Sequence, residues 1–555
     1  MSLPAPPPSD FDLWRGIPAR YNAGADCADA HVAHGRGDHP ALRWENSAGD
    51  SRSLTYRQLS RLTGRFAAVL ASLGVDRGDR ILLRVPNIPE FLVASLGANK
   101  RGAAYIPTST LFRENEIAYR VRDAEAKLVV TTPQLYPEVD RIRSECPSLR
   151  HVLVVPYLGA GAPRGTIDFQ EALDAVPKPA PPAATFHDDL ALIAYTSGTT
   201  GDPKGVAHCQ RYPASYENLV RWWYDFRPED VVTCPSEIGW MLPVATFLFA
   251  LRTGCTVFMY HEVDGPFRPE TWVRLIEKYR ISHFTAAPTV YRMLLTVEGA
   301  QARHDLSSLR HGVSAGEALP GDTLEALRRR FGIAPLDGIG MSECMVYNFT
   351  RVGTALKPGS CGVPGPGVRI ALLDEDLRPV PRGEPGILCL RREDHPGIMK
   401  EYWRKPEKTA EILRGEWYVS GDVLTEDEDG YLWFQGRADD LINASGYRIS
   451  PFEVENLLLS HPAVLEVAAV ESPDPIRGNV VKAFVVPRDA ASPSEALAEA
   501  LRAHCRERAA AFKTPRLIEF LKALPKTQSG KIRRKELRQA EAARAQASLE
   551  KRGPS

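Results

Sequence analysis

The chain is predicted to be an α/β protein, with a large N-terminal part built on doubly wound parallel sheet and a smaller α+β part behind it. Three observations predict this. Segments of helical and strand periodicity alternate from about residue 55 to 155, and such alternation calls for a parallel sheet covered on both faces. A strand–glycine–helix unit stands at 311–332, and after Leu441 the segments shorten and mix. At 555 residues the chain is also too long for one ordinary core.

The first 50 or so residues carry little pattern and are expected to wrap the surface. Thr55 and Gln58 have capping-box spacing. Leu59, Leu62, Phe66, Val69 and Leu73 follow at helical intervals, with Gly74 as a stop. A turn at 76–79 leads to a strand at 80–85, a helix at 90–101 and a strand at 103–106. Further strands are expected at 127–131 and 151–155, then a proline- and alanine-rich connector at 177–184 and a buried strand at 190–194. Beyond residue 205 a helix is expected at 216–227, with Trp222, Trp223 and Phe226 as core, and a strand at 231–234. A strand at 311–315 opens into Gly316-Glu317-Ala318-Leu319-Pro320, with Pro320 in the first turn of a helix at 323–331 that Gly332 stops. Residues 417–422 read as a strand ending in a turn aspartate, and 431–434 as another strand. Ser450-Pro451-Phe452-Glu453 reads as a cap, an N1 proline and a capping-box glutamate, and Ser492-Pro493-Ser494-Glu495 repeats the device. Strands are expected at 464–471 and 480–486. No internal repeat is visible.

Composition narrows the function classes. Apolar residues make up 44% and charged residues 25%, as in soluble globular proteins. Lys+Arg and Asp+Glu number 69 each, so overall charge gives no reason to expect nucleic acid or an anionic membrane as partner. The nine cysteines form no C-x-x-C and no His/Cys cluster, and read as scattered reduced thiols of a cytoplasmic protein. The N-terminus lacks the pattern of a signal peptide. The most apolar stretch, 241–260, is interrupted by Pro243, Arg252 and Gly254, which argues against membrane insertion.

The most informative string is Tyr195-Thr196-Ser197-Gly198-Thr199-Thr200-Gly201-Asp202-Pro203-Lys204-Gly205. Its glycines let backbone N–H groups converge, its hydroxyls add donors, and Lys204 adds positive charge, a combination suited to polyphosphate. It is not a Walker A loop, because Pro203 stands where that pattern has glycine and Gly205 follows the lysine. The string closely resembles the phosphate-binding loop of the adenylate-forming (ANL) superfamily, which includes acyl-CoA synthetases, luciferases and peptide-synthetase adenylation domains. The resemblance extends over residues 54–537. It implies a large AMP-binding domain over 1–438 with a small β subdomain, a small mobile α+β domain over 439–540, and a charged tail over 541–555.

Further motifs fit that resemblance residue by residue. Gly316-Glu317-Ala318 is similar to the adenine-binding turn, with Asp337 and Gly338 beside it. In Asp337-Gly338-Ile339-Gly340-Met341-Ser342-Glu343 the superfamily usually shows aromatic-Gly-x-Thr-Glu. Ile339 replaces the aromatic residue, Ser342 keeps the hydroxyl for the α-phosphate, and Glu343 suits Mg²⁺, a hard ion that takes one or two carboxylates together with phosphate oxygens and water. Asp422 matches the ribose-binding aspartate, and Arg437 can hold ribose or phosphate oxygens. Asp439 matches the hinge residue. Lys531, in Pro525-Lys526-Thr527-Gln528-Ser529-Gly530-Lys531, matches the catalytic lysine. Ser445-Gly446-Tyr447-Arg448 and Arg477 are assigned to the coenzyme A side.

The resemblance implies a two-step ligase. A carboxylate is a poor acceptor for a thiol, and an acyl adenylate gives it AMP as leaving group. Charge builds on the α-phosphate in the first step, where Lys531, Ser342 and Mg²⁺ on Glu343 are placed, with residues 196–204 holding the β- and γ-phosphates. The implied substrates and cofactors are a small-molecule carboxylic acid, ATP, Mg²⁺ and coenzyme A. The phrases at 444–455 and 472–478 resemble medium-chain acyl-CoA synthetases, and those at 100–111 resemble both these and benzoate-CoA ligases. Benzoate-CoA ligases typically carry a histidine where Val346 falls. The inferred acyl pocket (Trp240, Ala287, Ala315, Ile339, Gly340, Val346) is apolar and favours a medium-chain, alicyclic or aromatic acid, although Trp240 reads equally as plain packing. Gly340 is expected to leave the pocket floor open unless Trp240 fills it, which argues against acetate. A ligase that loads a carrier-protein phosphopantetheine thiol is the alternative, and no carrier domain follows Leu537. A nucleotide-binding protein without catalysis would not need both Glu343 and Lys531. Luciferase-type oxidation would need a special substrate. The particular acid and a homo-oligomer are left open by the sequence.

Overall fold

A computed structural model describes residues 7–8, 10–196, 203–317, 319–438, 440, 442–444, 447–474, 478–488, 493–509, 511–526 and 531–550, the side chains of 443, 447, 448, 478, 512 and 545–550 excepted. They form two compact units. The first comprises the described residues within 1–196, 204–370 and 390–418, and the second those within 197–203, 371–389 and 419–555.

The first unit is α/β, as expected, and is built on two large sheets. One has nine strands in the order Val363–Pro364, Val346–Phe349, Leu336–Gly340, His311–Ala315, His283–Ala286, Val231–Thr233, Thr256–His261, Pro40–Asn46, Ser51–Thr55. Its central strands, from Leu336–Gly340 to Pro40–Asn46, are parallel. The other sheet has eight strands in the order Glu401–Tyr402, Gly205–Cys209, Leu190–Tyr195, Ala104–Pro107, Arg80–Leu83, Leu128–Thr131, His151–Val154, Ile167–Asp168. Strand residues of both sheets, such as Ile81, Tyr105, Val232 and Val313, share one buried core with Phe66, Phe91 and Phe247 of the covering helices. The near-continuous apolar runs of these strands are what burial on both faces requires.

Local signals account for several boundaries. Thr55 accepts from the Gln58 N–H and the Gln58 side chain accepts from the Thr55 N–H, so the capping box opens helix Tyr56–Ser72. Helix Pro89–Arg101 ends at Gly102, which has φ +82°. Two of these expectations need correction. Pro320 is the N-cap of helix Gly321–Phe331, one place ahead of its first turn. The expected helix at 216–227 is one α-turn, Glu217–Leu219, running into a π-turn, Val220–Tyr224, and it stops at Asp225 with φ +47°. Trp222, Trp223 and Phe226 are all buried there, in agreement with a core role. All nine cysteines are free and buried. No described helix is long and apolar enough to cross a membrane.

The small β subdomain is a five-stranded sheet with path order Ile370–Leu373, Gly386–Arg391, Trp417–Glu426, Leu413–Arg414, and with Leu432–Arg437 also paired to Trp417–Glu426. Strand Trp417–Glu426 does not end at Asp422 as expected; it continues four residues past that aspartate. The second unit also holds a small α+β core, in which Val464–Asp474 pairs antiparallel with Gly478–Pro487, and the latter pairs parallel with Leu517–Phe520. Ser450 caps helix Pro451–Leu459 through the Glu453 N–H, but Glu453 pairs with Lys513 at 2.9 Å, so only half of the expected capping box forms. The next helix, Glu495–Arg508, is capped by Ser494 through the Leu497 N–H, two places later than the first serine of the repeated device. Helix Arg534–Glu550 runs across the expected start of a tail at 541. Glu541 is buried and accepts from Ser472 at 2.9 Å and Lys482 at 2.8 Å.

Candidate active site

In an open α/β sheet, ligands bind beyond the carboxyl ends of the parallel strands. Four neighbouring parallel strands of the nine-stranded sheet, Val231–Thr233, His283–Ala286, His311–Ala315 and Leu336–Gly340, deliver the candidate residues to that edge. Trp240 follows the first as N-cap of helix Met241–Thr253, and Ala287 follows the second as N-cap of helix Pro288–Leu294. Ala315 ends the third and pairs with Gly338 of the fourth. Val346 lies opposite Gly340 on the antiparallel return strand.

Trp240 is half-buried, edge-to-face on Phe112 with ring centroids 5.8 Å apart. Glu237, three residues before it, accepts from the Ser109 and Thr110 hydroxyls at 2.5 Å each and ties the two loops together. At Gly340 an added Cβ would lie 2.5 Å from the Met345 carbonyl oxygen, so a close backbone approach in the hairpin requires glycine there. Gly338 is similarly confined, with Val346 Cγ1 2.7 Å from where a Cβ would stand.

Of the residues expected to receive adenine, Asp337 ties its own strand to the turn that follows Ala315. Its carboxylate accepts from the Leu319 and Gly338 N–H groups at 3.0 Å each, and its backbone carbonyl accepts from Thr350. Burial pushes the carboxyl up to about 7 despite those two donors. Gly316 has φ +99°, Glu317 is exposed and lies 3.9 Å from Arg292, and Ala318 falls outside the described residues.

The loop expected to hold phosphate joins two paired strands. Strands Leu190–Tyr195 and Gly205–Cys209 pair antiparallel, and the Thr196 N–H donates to the Lys204 carbonyl at 3.0 Å. Ser197, Gly198, Thr199, Thr200 and Gly201 lie outside the described residues. Lys204 is half-buried, with its ammonium 4.4 Å from the centre of the Tyr402 ring. Within this hairpin, the buried His208 donates from Nε2 to the Ser342 carbonyl at 2.7 Å. Burial pushes this imidazole down to about 4, so it is neutral, and a carbonyl acceptor requires the proton on Nε2. Glu343 is buried; its Oε1 accepts from the Tyr402 hydroxyl at 2.5 Å and its carbonyl from the Met399 N–H at 2.7 Å. Oε2 has no hydrogen-bond partner among the described residues. One tied and one unused oxygen on a buried carboxylate fit an oxygen-seeking hard cation. The described residues hold no cluster of three or more His, Cys, Asp or Glu side chains that could bind a metal.

Within the second unit, Asp422 and Arg437 face each other across paired strands, with Nη1 donating to Oδ1 at 2.8 Å and to the Ser420 carbonyl at 3.1 Å. Gly421 has φ +75°, and the guanidinium occupies the space beside it. Lys531 is exposed. Asp439, Ser445, Gly446 and Arg477 lie outside the described residues, as do the side chains of Tyr447 and Arg448. Sequence reasoning missed Tyr402, His208 and Glu237. In Glu401-Tyr402-Trp403 nothing local pointed to the partner strand.

Comparison with known proteins decides the family. Residues 29–403 match the model described as AMP-binding enzyme, and 453–531 match that described as AMP-binding enzyme C-terminal domain. The chain belongs to the AMP-binding enzyme family. This AMP-binding enzyme is 36% identical to the human mitochondrial acyl-coenzyme A synthetase ACSM3 over 543 residues, 96% of this chain and 91% of that protein. It is similar to the crystal structure of the anthranilate CoA ligase AuaEII in complex with anthranoyl-AMP, at 32% identity and TM-score 0.84, over 95% of this chain and 99% of that one. It is likewise similar to a benzoate CoA ligase from Burkholderia xenovorans LB400, at 30% identity and TM-score 0.80, over 93% and 100% of the two chains. The AMP-binding enzyme is an ATP-dependent carboxylic acid–CoA ligase that works through an acyl adenylate and uses ATP, Mg²⁺ and coenzyme A.

Proposed function

We propose that the acid is a hydrophobic one of moderate size, either medium-chain, alicyclic or aromatic. The observation that carries this reading is the residue set at the carboxyl edge of four adjacent strands: Trp240, Ala287, Ala315, Ile339, Gly340 and Val346 bring no charge there. A dicarboxylate would leave its second charge unpaired against such a wall, which is costly. The similarity to anthranilate and benzoate CoA ligases on one side, and to an ACSM synthetase on the other, supports the same range.

The proposed division of work is as follows. The acid's carboxylate attacks the α-phosphorus of ATP and pyrophosphate leaves. Lys531 and the Ser342 hydroxyl stabilise charge on the α-phosphate oxygens, while Thr196 to Lys204 hold the β- and γ-phosphates. Glu343 would hold Mg²⁺, which would supply neutralisation of phosphate charge. Gly316 to Ala318 with Asp337 and Gly338 receive adenine, and Asp422 with Arg437 receives the ribose. In the second step the coenzyme A thiolate attacks the acyl carbon and AMP leaves, with residues 445–448 and Arg477 on the coenzyme A side. The C-terminal domain is proposed to begin at the hinge Asp439 and to reposition between steps. A cytoplasmic location is proposed on the scattered free cysteines. The test is a panel of carboxylic acids supplied with ATP, Mg²⁺ and coenzyme A, following AMP release. Highest kcat/KM on medium-chain, alicyclic or aromatic acids supports the reading; highest kcat/KM on acetate or a dicarboxylate overturns it.

A further inference from the structure

Two groups of opposite charge face the phosphate side of the site, the Lys204 ammonium and the Glu343 carboxylate. Neither has an ion-pair partner among the described residues. Between them stands Tyr402, which is 3% exposed. Its hydroxyl donates to Glu343 Oε1 at 2.5 Å, and its ring face receives the Lys204 ammonium at 4.4 Å. The two contacts use different parts of one side chain, a donor at its tip and the negative face of its π-system.

The backbone explains how Tyr402 is placed. The short strand Glu401–Tyr402 adds antiparallel to Gly205–Cys209, the strand that leaves the phosphate loop, with Tyr402 opposite Val206. The Trp403 N–H donates to the Gly205 carbonyl at 2.7 Å and the Lys400 N–H to that of Ala207 at 2.8 Å. The Met399 N–H donates to the Glu343 carbonyl at 2.7 Å, and Tyr402's own N–H donates to Thr409 Oγ1 at 2.9 Å. One segment, 399–403, therefore grips the loop hairpin on one side and both ends of Glu343 on the other.

We propose that Tyr402 is a positioning residue that keeps Glu343 and Lys204 from pairing with each other and presents them separately, the carboxylate to the metal ion and the ammonium to the phosphates. The proposal rests on the reading of Glu343 as the Mg²⁺ ligand and Lys204 as a phosphate ligand. A carboxylate and an ammonium left side by side would form a charge-assisted hydrogen bond that consumes the groups the triphosphate needs. A hydroxyl on Oε1 orients the carboxylate while leaving Oε2 for the cation, the role that outer-sphere partners commonly take around metal ligands.

The experiment is calorimetric ATP binding to the full-length protein without acid substrate, in the presence and absence of Mg²⁺, together with a thermal melt of each variant. The wild-type protein is expected to bind ATP more tightly with Mg²⁺. Tyr402→Phe is expected to weaken Mg²⁺ affinity in the complex by about 10–100-fold and to leave metal-free ATP binding unchanged. Glu343→Gln is expected to abolish the metal-dependent gain. Lys204→Met is expected to weaken ATP binding in both conditions and keep the gain, because Tyr402 still holds Glu343. If Tyr402→Phe keeps the full gain while Glu343→Gln loses it, the role of Tyr402 is overturned and the metal-ligand reading stands. If Glu343→Gln keeps the gain, the metal-ligand reading fails and the proposal falls with it. Should Tyr402→Phe melt early, Lys204→Met decides: loss of the gain there means that the lysine, and not the tyrosine, sets the carboxylate.

Discussion

Asp337 carries a carboxyl whose pKa of about 7 lies well above the ordinary 3.8, with burial as the cause. The folded protein therefore holds a proton that the unfolded chain releases between those two values. The stability this contributes is present in full below about pH 3.8 and is lost as pH rises through 7. Asp337→Asn removes the titration, so the difference in urea midpoint between wild type and variant should change across pH 4–7, with wild type losing ground as pH rises. A constant difference would contradict the assigned environment. At the same scale, Lys531→Ala should slow adenylate formation by about 2.7–4 kcal/mol, the scale for one transition-state donor. Thioester formation from supplied acyl adenylate should survive in that variant, and equal loss of both steps would remove Lys531 from the first. Residue types and local order let the sequence propose Ser342, Glu343, Asp422 and Lys531 as site residues. Tyr402 was not legible, because its meaning comes from an antiparallel pairing with a strand far away in the chain. His208 was hidden for a related reason: in a strand, one polar side chain among apolar ones signals a face and not a partner.

Among the elements, those with punctuation at both ends were the easiest to read. Helix Tyr56–Ser72 has its capping box and its glycine stop, and both act as their chemistry requires. Thr55→Ala should cost about 1 kcal/mol of stability in a denaturant melt. Helix Glu217–Leu219 and its π continuation were misread as one regular helix, since helical periodicity does not distinguish a π-turn among bulky aromatics. Strand ends were misread where nothing local stops a strand: Trp417–Glu426 passes through Asp422 because pairing with Leu432–Arg437 continues beyond it. The hairpin of Leu336–Gly340 and Val346–Phe349 carries a further prediction. Gly340→Ala places a methyl group against the Met345 carbonyl and should destabilise the protein by about 1–3 kcal/mol. If melting is unchanged and only the acid preference narrows, Gly340 serves the pocket floor after all.

For the whole molecule, the sequence indicated an α/β body with a later α+β part, and the two compact units contain these elements. The join of 371–389 with 419–438 could not be read locally, because sheet partners there are separated by a long excursion of the chain. The proposed hinge has its own prediction at this scale. Asp439→Pro should spare pyrophosphate exchange and slow thioester formation, as rapid-quench assays of the two half-reactions would show; equal loss of both would remove Asp439 as a hinge. The central claim is that ATP converts an unreactive acid into a mixed anhydride with AMP before any thiol takes part. Its most direct test is the passage of labelled pyrophosphate into ATP in the absence of coenzyme A. The label should enter ATP only when a hydrophobic carboxylic acid is present, and failure to enter with every acid offered would contradict the account.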